Sequence, residues 1–236
     1  MLKNLIASLL SGIYGFVGNY GLSIILFTLF IRLILLPFAI QSKKNMVVMQ
    51  KLQPLVNELQ KKYKNDPKTL QQKQMELYKE HNHNPLSGCL PLLIQMPIIF
   101  TLFSVLRDAA SYVPQSAIDQ PFLWLPNLVD PDTLANVVNM SGAERIPGVL
   151  PIIAAVFTFI TFKMTQSQTA AVQASPDGPK APNMNFMAYV FPVLILMSGA
   201  SYSAGLILYW AFSTILQFVQ DRLLNAYFNP KEDKVA

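Results

Sequence analysis

Residues 26–40 read LFTLFIRLILLPFAI, an apolar run interrupted by one charge, Arg32. The run belongs to a longer segment, residues 21–41, that carries no other charge. That length matches the ~20 residues a helix needs to cross a bilayer. Arg32 stands eleven residues before Lys43. At 1.5 Å per residue this is roughly 16 Å along a helix, close to the middle of a hydrocarbon layer ~30 Å thick. The guanidinium cannot escape by losing its proton, because its pKa exceeds about 12. Insertion scales set its penalty at that depth at about 2.5–3.5 kcal/mol. Snorkelling relieves charges near helix ends, but this one is deeper. It needs a partner or water.

The whole chain fits a membrane solvent. It has 236 residues, 52% hydrophobic and 13% charged, against about 25% charged in soluble domains; its mean hydropathy is +0.35. Four further apolar segments, residues 85–110, 146–168, 184–200 and 202–222, bring the expected spans to five. A β-barrel would require alternating segments of about ten residues, and the sequence shows none. The single cysteine, Cys89, excludes an internal disulfide framework and a cysteine zinc cluster. Cys89 reads as a small apolar packing residue. His81 and His83 lack a third ligand nearby, so no metal site, cofactor or enzyme activity is expected.

The connecting segments set the orientation. Residues 42–84 hold nine of the 18 basic residues, whereas residues 107–145, which contain the loop at 111–145, have two against five acids. The positive-inside rule then puts the amino end outside and the carboxyl end in the cytoplasm, as five spans require. Residues 169–183 form a cytoplasmic loop rich in turn formers, and residues 223–236 a short cytoplasmic tail. Residues 1–20 repeat apolar side chains at helical spacing, with Lys3, Asn4, Ser8 and Ser11 towards the other side. They read as an amphipathic helix in the membrane interface or as an uncleaved signal-like start.

Residues 42–84 contain two helical patterns separated by the turn signal NDP, which predicts a cytoplasmic helical hairpin. Lys51, Leu55, Leu59, Lys61, Lys62, Tyr63 and Tyr78 are its candidate docking residues. A solvated, topology-setting face is the plainer reading of the lysines; the apolar stripe favours docking. The hairpin lacks arginine, and attraction to anionic lipids explains its charge as well as RNA does. Nothing points to DNA.

The five expected spans hold no acid in their interiors; Asp108 lies at the end of the second, and Asp221 sits at the cytoplasmic edge of the last. Water is therefore expected at Arg32. Thr158, Thr161, Thr165 and Gln168 share one helical face, as do Trp210, Ser213, Thr214, Gln217 and Gln220. Thr28 lies one turn before Arg32, and Gln95 is the amide of the second span. Each alone is ordinary helix–helix bonding, typically ~0.6 kcal/mol. Two such stripes with an unpaired arginine point to a groove. The expected fold is thus an all-α integral membrane protein, five transmembrane helices around a polar groove, with an N-terminal interfacial helix and a cytoplasmic hairpin. Arg32, Thr28, Gln95, Thr158, Thr161, Trp210, Ser213 and Gln217 are the candidate groove residues.

The run NPLSGCLPLLIQMPIIFTLF at residues 84–103 resembles the signature of the YidC/Oxa/Alb membrane-protein insertases. So do the hairpin sequence before it, FIRLILLPF at residues 30–38 and GLILYWAFS at residues 205–213. The resemblance covers essentially the whole chain. It implies a five-helix core with a cationic groove open to cytoplasm and lipid but closed to the exterior. The family arginine corresponds to Arg32, and groove positions carry over to Gln95 and Trp210. Thr161 stands where many relatives have glutamine.

The resemblance is to the short bacterial form, without a large external domain before the first span. It implies a bacterial cell-membrane location and nascent membrane proteins as partners, alone or with a Sec translocon, and with the ribosome as a further candidate. The brief mixed-charge tail departs from relatives that hold ribosomes with a long basic one. Two other readings stay open: a small transporter or channel with an intramembrane anion site, and a chaperone that only packs other helices. Paired repeats, frequent in transporters, are not evident.

Overall fold

Gly18 and Asn19 make the first turn of the chain. Gly18 has φ +71°, a conformation that costs glycine little, and it ends helix α1 (Leu2–Val17). Asn19 then caps α2 (Tyr20–Lys62), its Oδ1 accepting the Leu22 amide at 2.9 Å. The structure is a computed structural model, and it describes residues 2–81, 90–138, 142–169 and 184–228. His83, Cys89, the start of the segment expected at 85–110, nearly all of the loop at 169–183 and the end of the tail at 223–236 lie outside the described residues.

Helix α2 joins the first expected span to the first arm of the expected hairpin. The first span and the first arm of the hairpin were divided at residues 41 and 42, yet α2 runs through both as one helix of 43 residues. Pro37 and Pro54 are accommodated inside it, and residues 41–62 are rich in Gln, Lys, Met and Leu, all good helix formers. At 1.5 Å per residue α2 is roughly 65 Å long, about twice the hydrocarbon thickness. Were its apolar part to cross a bilayer, half of it would stand outside the hydrocarbon layer. Its amino-terminal part is long and apolar enough to cross a membrane.

The remaining long helices are α3 (Pro67–Glu80), α4 (Leu90–Arg107), α6 (Val149–Thr169), α7 (Met184–Gly199) and α8 (Ala204–Phe228), with a one-turn α5 (Gln115–Ile118) between α4 and α6. The described residues include isolated bridges but no strand. Helix α8 is the hub, packed against α2, α4 and α6, while α7 lies on α6 and α1 on α2 and α4. Phe27, Leu102, Val105 and Tyr209 are buried in the shared core. Leu33, Phe38, Phe100, Met197 and Leu223 face outwards on different helices. Such a continuous apolar exterior is a liability in water and the ordinary surface of a protein in lipid. Helix α1 is amphipathic in a different sense from that expected. Ile6, Ala7 and Leu10 are buried in the core, while Leu5 and Phe16 are exposed. Lys3 lies 3.5 Å from Asp108 and over the Tyr112 ring, fastening α1 to the end of α4.

The segment between α4 and α6 caps two of the helices. Helix N-termini leave four amides without partners. Asp132 is fully buried; its Oδ2 accepts the Leu150 amide at 2.6 Å, and its Oδ1 the Trp124 indole at 3.2 Å. The carboxylate thus sits at the positive end of α6. Gly148 is required beside it, since a Cβ there would collide with the Asp132 carboxylate. At α8, Asp130 O accepts the Ala204 amide at 2.9 Å and Leu128 O the Gly205 amide at 2.8 Å.

Helix α3 folds back on the far end of α2 around a separate small core of Met49, Leu52, Val56 and Tyr78. Tyr78, expected on the docking face, is therefore buried between the arms, because its ring fills the space between them. Lys51, Leu55, Lys61 and Lys62 are exposed and Leu59 and Tyr63 half-buried, with Lys62 over the Tyr63 ring at 5.5 Å. Asp66 begins α3, its carboxylate accepting the Thr69 amide at 3.1 Å and hydroxyl at 2.6 Å.

Two outcomes follow from these caps. Asp132→Ala leaves buried donors unpaired and should lower stability by about 1–3 kcal/mol, read as a lower unfolding temperature in detergent, with Asp132→Asn intermediate. The Thr69 hydroxyl and amide hold the Asp66 carboxyl below its ordinary value of 3.8. That cap is therefore intact above the ordinary carboxylate range and lost as pH falls through the lowered value. Hydrogen exchange of the first amides of α3 should accelerate over that acid window in the native protein and be already fast in Asp66→Ala.

Candidate functional site

Arg32 sits on the face of α2 that meets α8. Its Nη2 donates to Ser213 O at 2.7 Å, to Ser213 Oγ at 2.7 Å and to Gln217 Oε1 at 3.3 Å. The half-buried guanidinium thus bonds neutral oxygens, and among the described residues none of its hydrogen bonds goes to a carboxylate. Ser213 and Gln217 are one turn apart on α8, so they present to α2 as neighbours. Asp221 follows one turn later and lies within electrostatic reach of Arg32, nearer in effect than its position at the edge of the span suggested.

The cluster continues towards α4. Gln95 Nε2 donates to the Tyr209 hydroxyl at 2.9 Å, and that hydroxyl neighbours Ser213 and Arg32. Gln95, Tyr209, Ser213, Arg32 and Gln217 therefore form one polar strip linking α4, α8 and α2. Tyr209 is buried and is absent from the groove residues expected from the sequence, where it enters only within GLILYWAFS. Its place one turn before Ser213 was the available signal.

Trp210 and Thr158 form a second group on the α6 side of α8. The indole donates to Thr158 Oγ1 at 3.2 Å, and its ring packs on Phe191 with centroids 5.7 Å apart. The expected stripe on α8 is thus divided between two neighbours: Ser213 and Gln217 serve α2, Trp210 serves α6.

Thr28 and Thr161 belong to neither group. The buried Thr28 hydroxyl donates to Ile24 O at 2.7 Å, and the buried Thr161 hydroxyl donates to Phe157 O and Thr158 O at 2.9 Å. Both return their hydroxyl to their own helix, the usual solution for threonine in apolar surroundings. The Gln168 side chain lies outside the described residues.

Two open clefts lie elsewhere. One of about 490 Å³ runs between α1 and the first turns of α2, lined by Leu9, Gly12, Phe16 and Phe30 among others. The other, about 430 Å³, lies along α3 between Lys68 and Lys79. Neither includes a candidate groove residue. Among the described residues no group of three metal-ligating side chains occurs.

The strip can hold a cation at depth and offer its amides, hydroxyls and charge to a passing polar group. The Gln95–Tyr209 bond should be measurable in a double-mutant cycle of Gln95→Ala and Tyr209→Phe. A coupling near 0.6 kcal/mol in unfolding free energy is expected, the typical value between membrane helices; strictly additive losses would show that the bond does not form.

Residues 12–232 match the family model described as 60Kd inner membrane protein. The chain is similar to a membrane protein insertase YidC of Fusobacterium nucleatum subsp. nucleatum, 37% identical over 220 residues and covering 93% of each. It is similar to that of Clostridium perfringens, 37% identical over 93% of this chain and 87% of the relative. A third, from Caldanaerobacter subterraneus subsp. tengcongensis, is 38% identical over 91% of this chain and 89% of the relative. Among solved structures, an active YidC insertase crystal structure with the first transmembrane domain resolved superposes with a TM-score of 0.61 at 31% identity. The match spans 92% of this chain and 45% of that one.

Proposed function

Because the chain belongs to the 60Kd inner membrane protein family, whose matched relatives are YidC membrane protein insertases, we propose that it inserts membrane proteins by presenting Arg32 to them inside the bilayer. The observation that carries this reading is the set of partners around Arg32: serine and glutamine oxygens hold the cation, and among the described residues no carboxylate takes a hydrogen bond from it. Its charge remains available to an incoming acid.

In this reading the chain spans a bacterial cell membrane five times, the amino end outside. The first part of α2 and helices α4, α6, α7 and α8 are the spans. Water enters from the cytoplasm to form a groove along Arg32, Gln95, Ser213 and Gln217, with Trp210 and Thr158 on its α6 wall. The loop that caps α6 and α8 closes the outer side. A nascent membrane protein first meets the hairpin through Leu55, Leu59, Lys51, Lys61, Lys62 and Tyr63, either alone or beside a Sec translocon or a ribosome. Anionic headgroups balance the lysines.

Each residue then has a physical task. Arg32 lowers the barrier for a polar or acidic tail at mid-depth. At an effective dielectric near 20 a charge pair at ~4 Å contributes about 4 kcal/mol, comparable with the insertion penalty of a carboxylate. Gln95 and Gln217 replace lost water around the tail. The substrate's apolar segment slides into lipid, and its burial drives the reaction. No covalent step is needed.

The test is insertion of a single-span reporter with acidic residues in its translocated tail, by the purified protein in liposomes. Arg32→Ala should reduce insertion about tenfold or more, the loss of ~1.4 kcal/mol or more of stabilisation, and Arg32→Lys should retain much of it. Unchanged insertion by Arg32→Ala would remove the charge mechanism.

A further inference from the structure

The face of α8 that holds Arg32 does not end at Gln217. Ser213, Gln217 and Asp221 recur at steps of four and so lie along one side of the helix. On α2, Arg32 and Lys43 are eleven residues apart, three turns at 3.6 residues each, and share a face. The two helices pack together with Arg32 bonded to Ser213 and Gln217, which brings Asp221 between the two cations. Lys43 is only 3% exposed although it lies in the most lysine-rich part of the chain. The Asp221 carboxylate interacts electrostatically with both Lys43 and Arg32.

The neighbouring cations behave differently. Lys44 lies over the Phe228 ring at 5.9 Å and Arg222 over the Phe218 ring at 5.6 Å. They are turned to aromatic faces, whereas Lys43 and Asp221 are turned into the helix contact. The path from the cytoplasm to Arg32 therefore passes a buried lysine and an acid.

We propose that Asp221 is a specificity-determining residue, an internal acid that offsets one of the two cations along this path and so sets how acidic a substrate tail the protein favours. The inference rests on the insertase reading above. Arg32, Lys43 and Asp221 together carry one net positive charge. An acid fixed near Arg32 competes with an incoming acid for the same field, which weakens retention of highly acidic tails and leaves neutral polar tails favoured. Lys43 has the opposite effect, restoring attraction at the entrance and holding Asp221 in place. This is a tuning of selectivity and not of throughput.

The experiment compares two single-span reporters in liposomes, one with a neutral polar tail and one with three acidic residues in that tail. Its reading is the ratio of their insertion, acidic over neutral. Asp221→Asn, nearly isosteric, should raise that ratio about three- to tenfold. Lys43→Gln should lower it, the double variant should return close to wild type, and Asp221→Glu should stay there. A merely structural role would lower insertion of both reporters together and leave the ratio fixed; that result overturns the proposal, as does a fall in the ratio for Asp221→Asn. Arg32→Ala in parallel separates the two ideas. If it lowers the ratio while Asp221→Asn does not change it, the insertase mechanism stands and the role of Asp221 falls. If neither variant moves it, the charge mechanism itself falls.

Discussion

A cation that cannot be neutralised, held within the apolar part of a helix, constrains everything around it. Arg32 donates its hydrogen bonds to Ser213 and Gln217, so α2 and α8 must pack face to face at that level. Helix α8 then carries the bundle, with α4 joined through Gln95 and Tyr209 and α6 through Thr158 and Trp210. The polar contacts are few, and each links α8 to a different neighbour. Apolar packing surrounds them but does not choose the register. In a solvent of lipid, where burial between helices brings no hydrophobic reward, such contacts carry a larger share of specificity than they do in water.

The outer end of the molecule solves a separate problem. Backbone groups at helix ends need partners, and at the ends of α6 and α8 the connecting loop supplies them through Asp132, Asp130 and Leu128. One acid, sequestered from water, thereby orders a long irregular segment and closes that side of the bundle. The two ends of the protein are built on different chemistry: fixed hydrogen bonds at the caps of α6 and α8, charges and exposed lysines at the hairpin.

Much of this was legible from residue order. The clustering of nine lysines in residues 42–84 and the shared face of Ser213 and Gln217 towards Arg32 follow from helix geometry and solvation alone. Other features were not. Thr28 and Thr161 have the same side chain as Thr158, and nothing local tells which hydroxyl bonds across and which bonds its own backbone. Asp132 looked like one more acid of an external loop, because a cap on a helix seventeen residues further on is a tertiary event. Tyr78 read as an exposed aromatic since periodicity gives a face but not what covers it. The continuity of α2 was hidden by its change of composition, which marks the passage from lipid to water and not an end of helix.

That continuity has a mechanical meaning. A rod anchored in the membrane by Arg32 and grasped outside by the hairpin transmits tilt from one end to the other. Pro37 lies between them and removes one backbone bond from the ladder, so bending concentrates there. In the insertase reading, a load on the far arm of α2 would act on the hydrogen bonds of the guanidinium, some thirty ångströms away by the rise of the helix, ~1.5 Å per residue. Hairpin and polar strip are joined by one continuous helix with a proline between them.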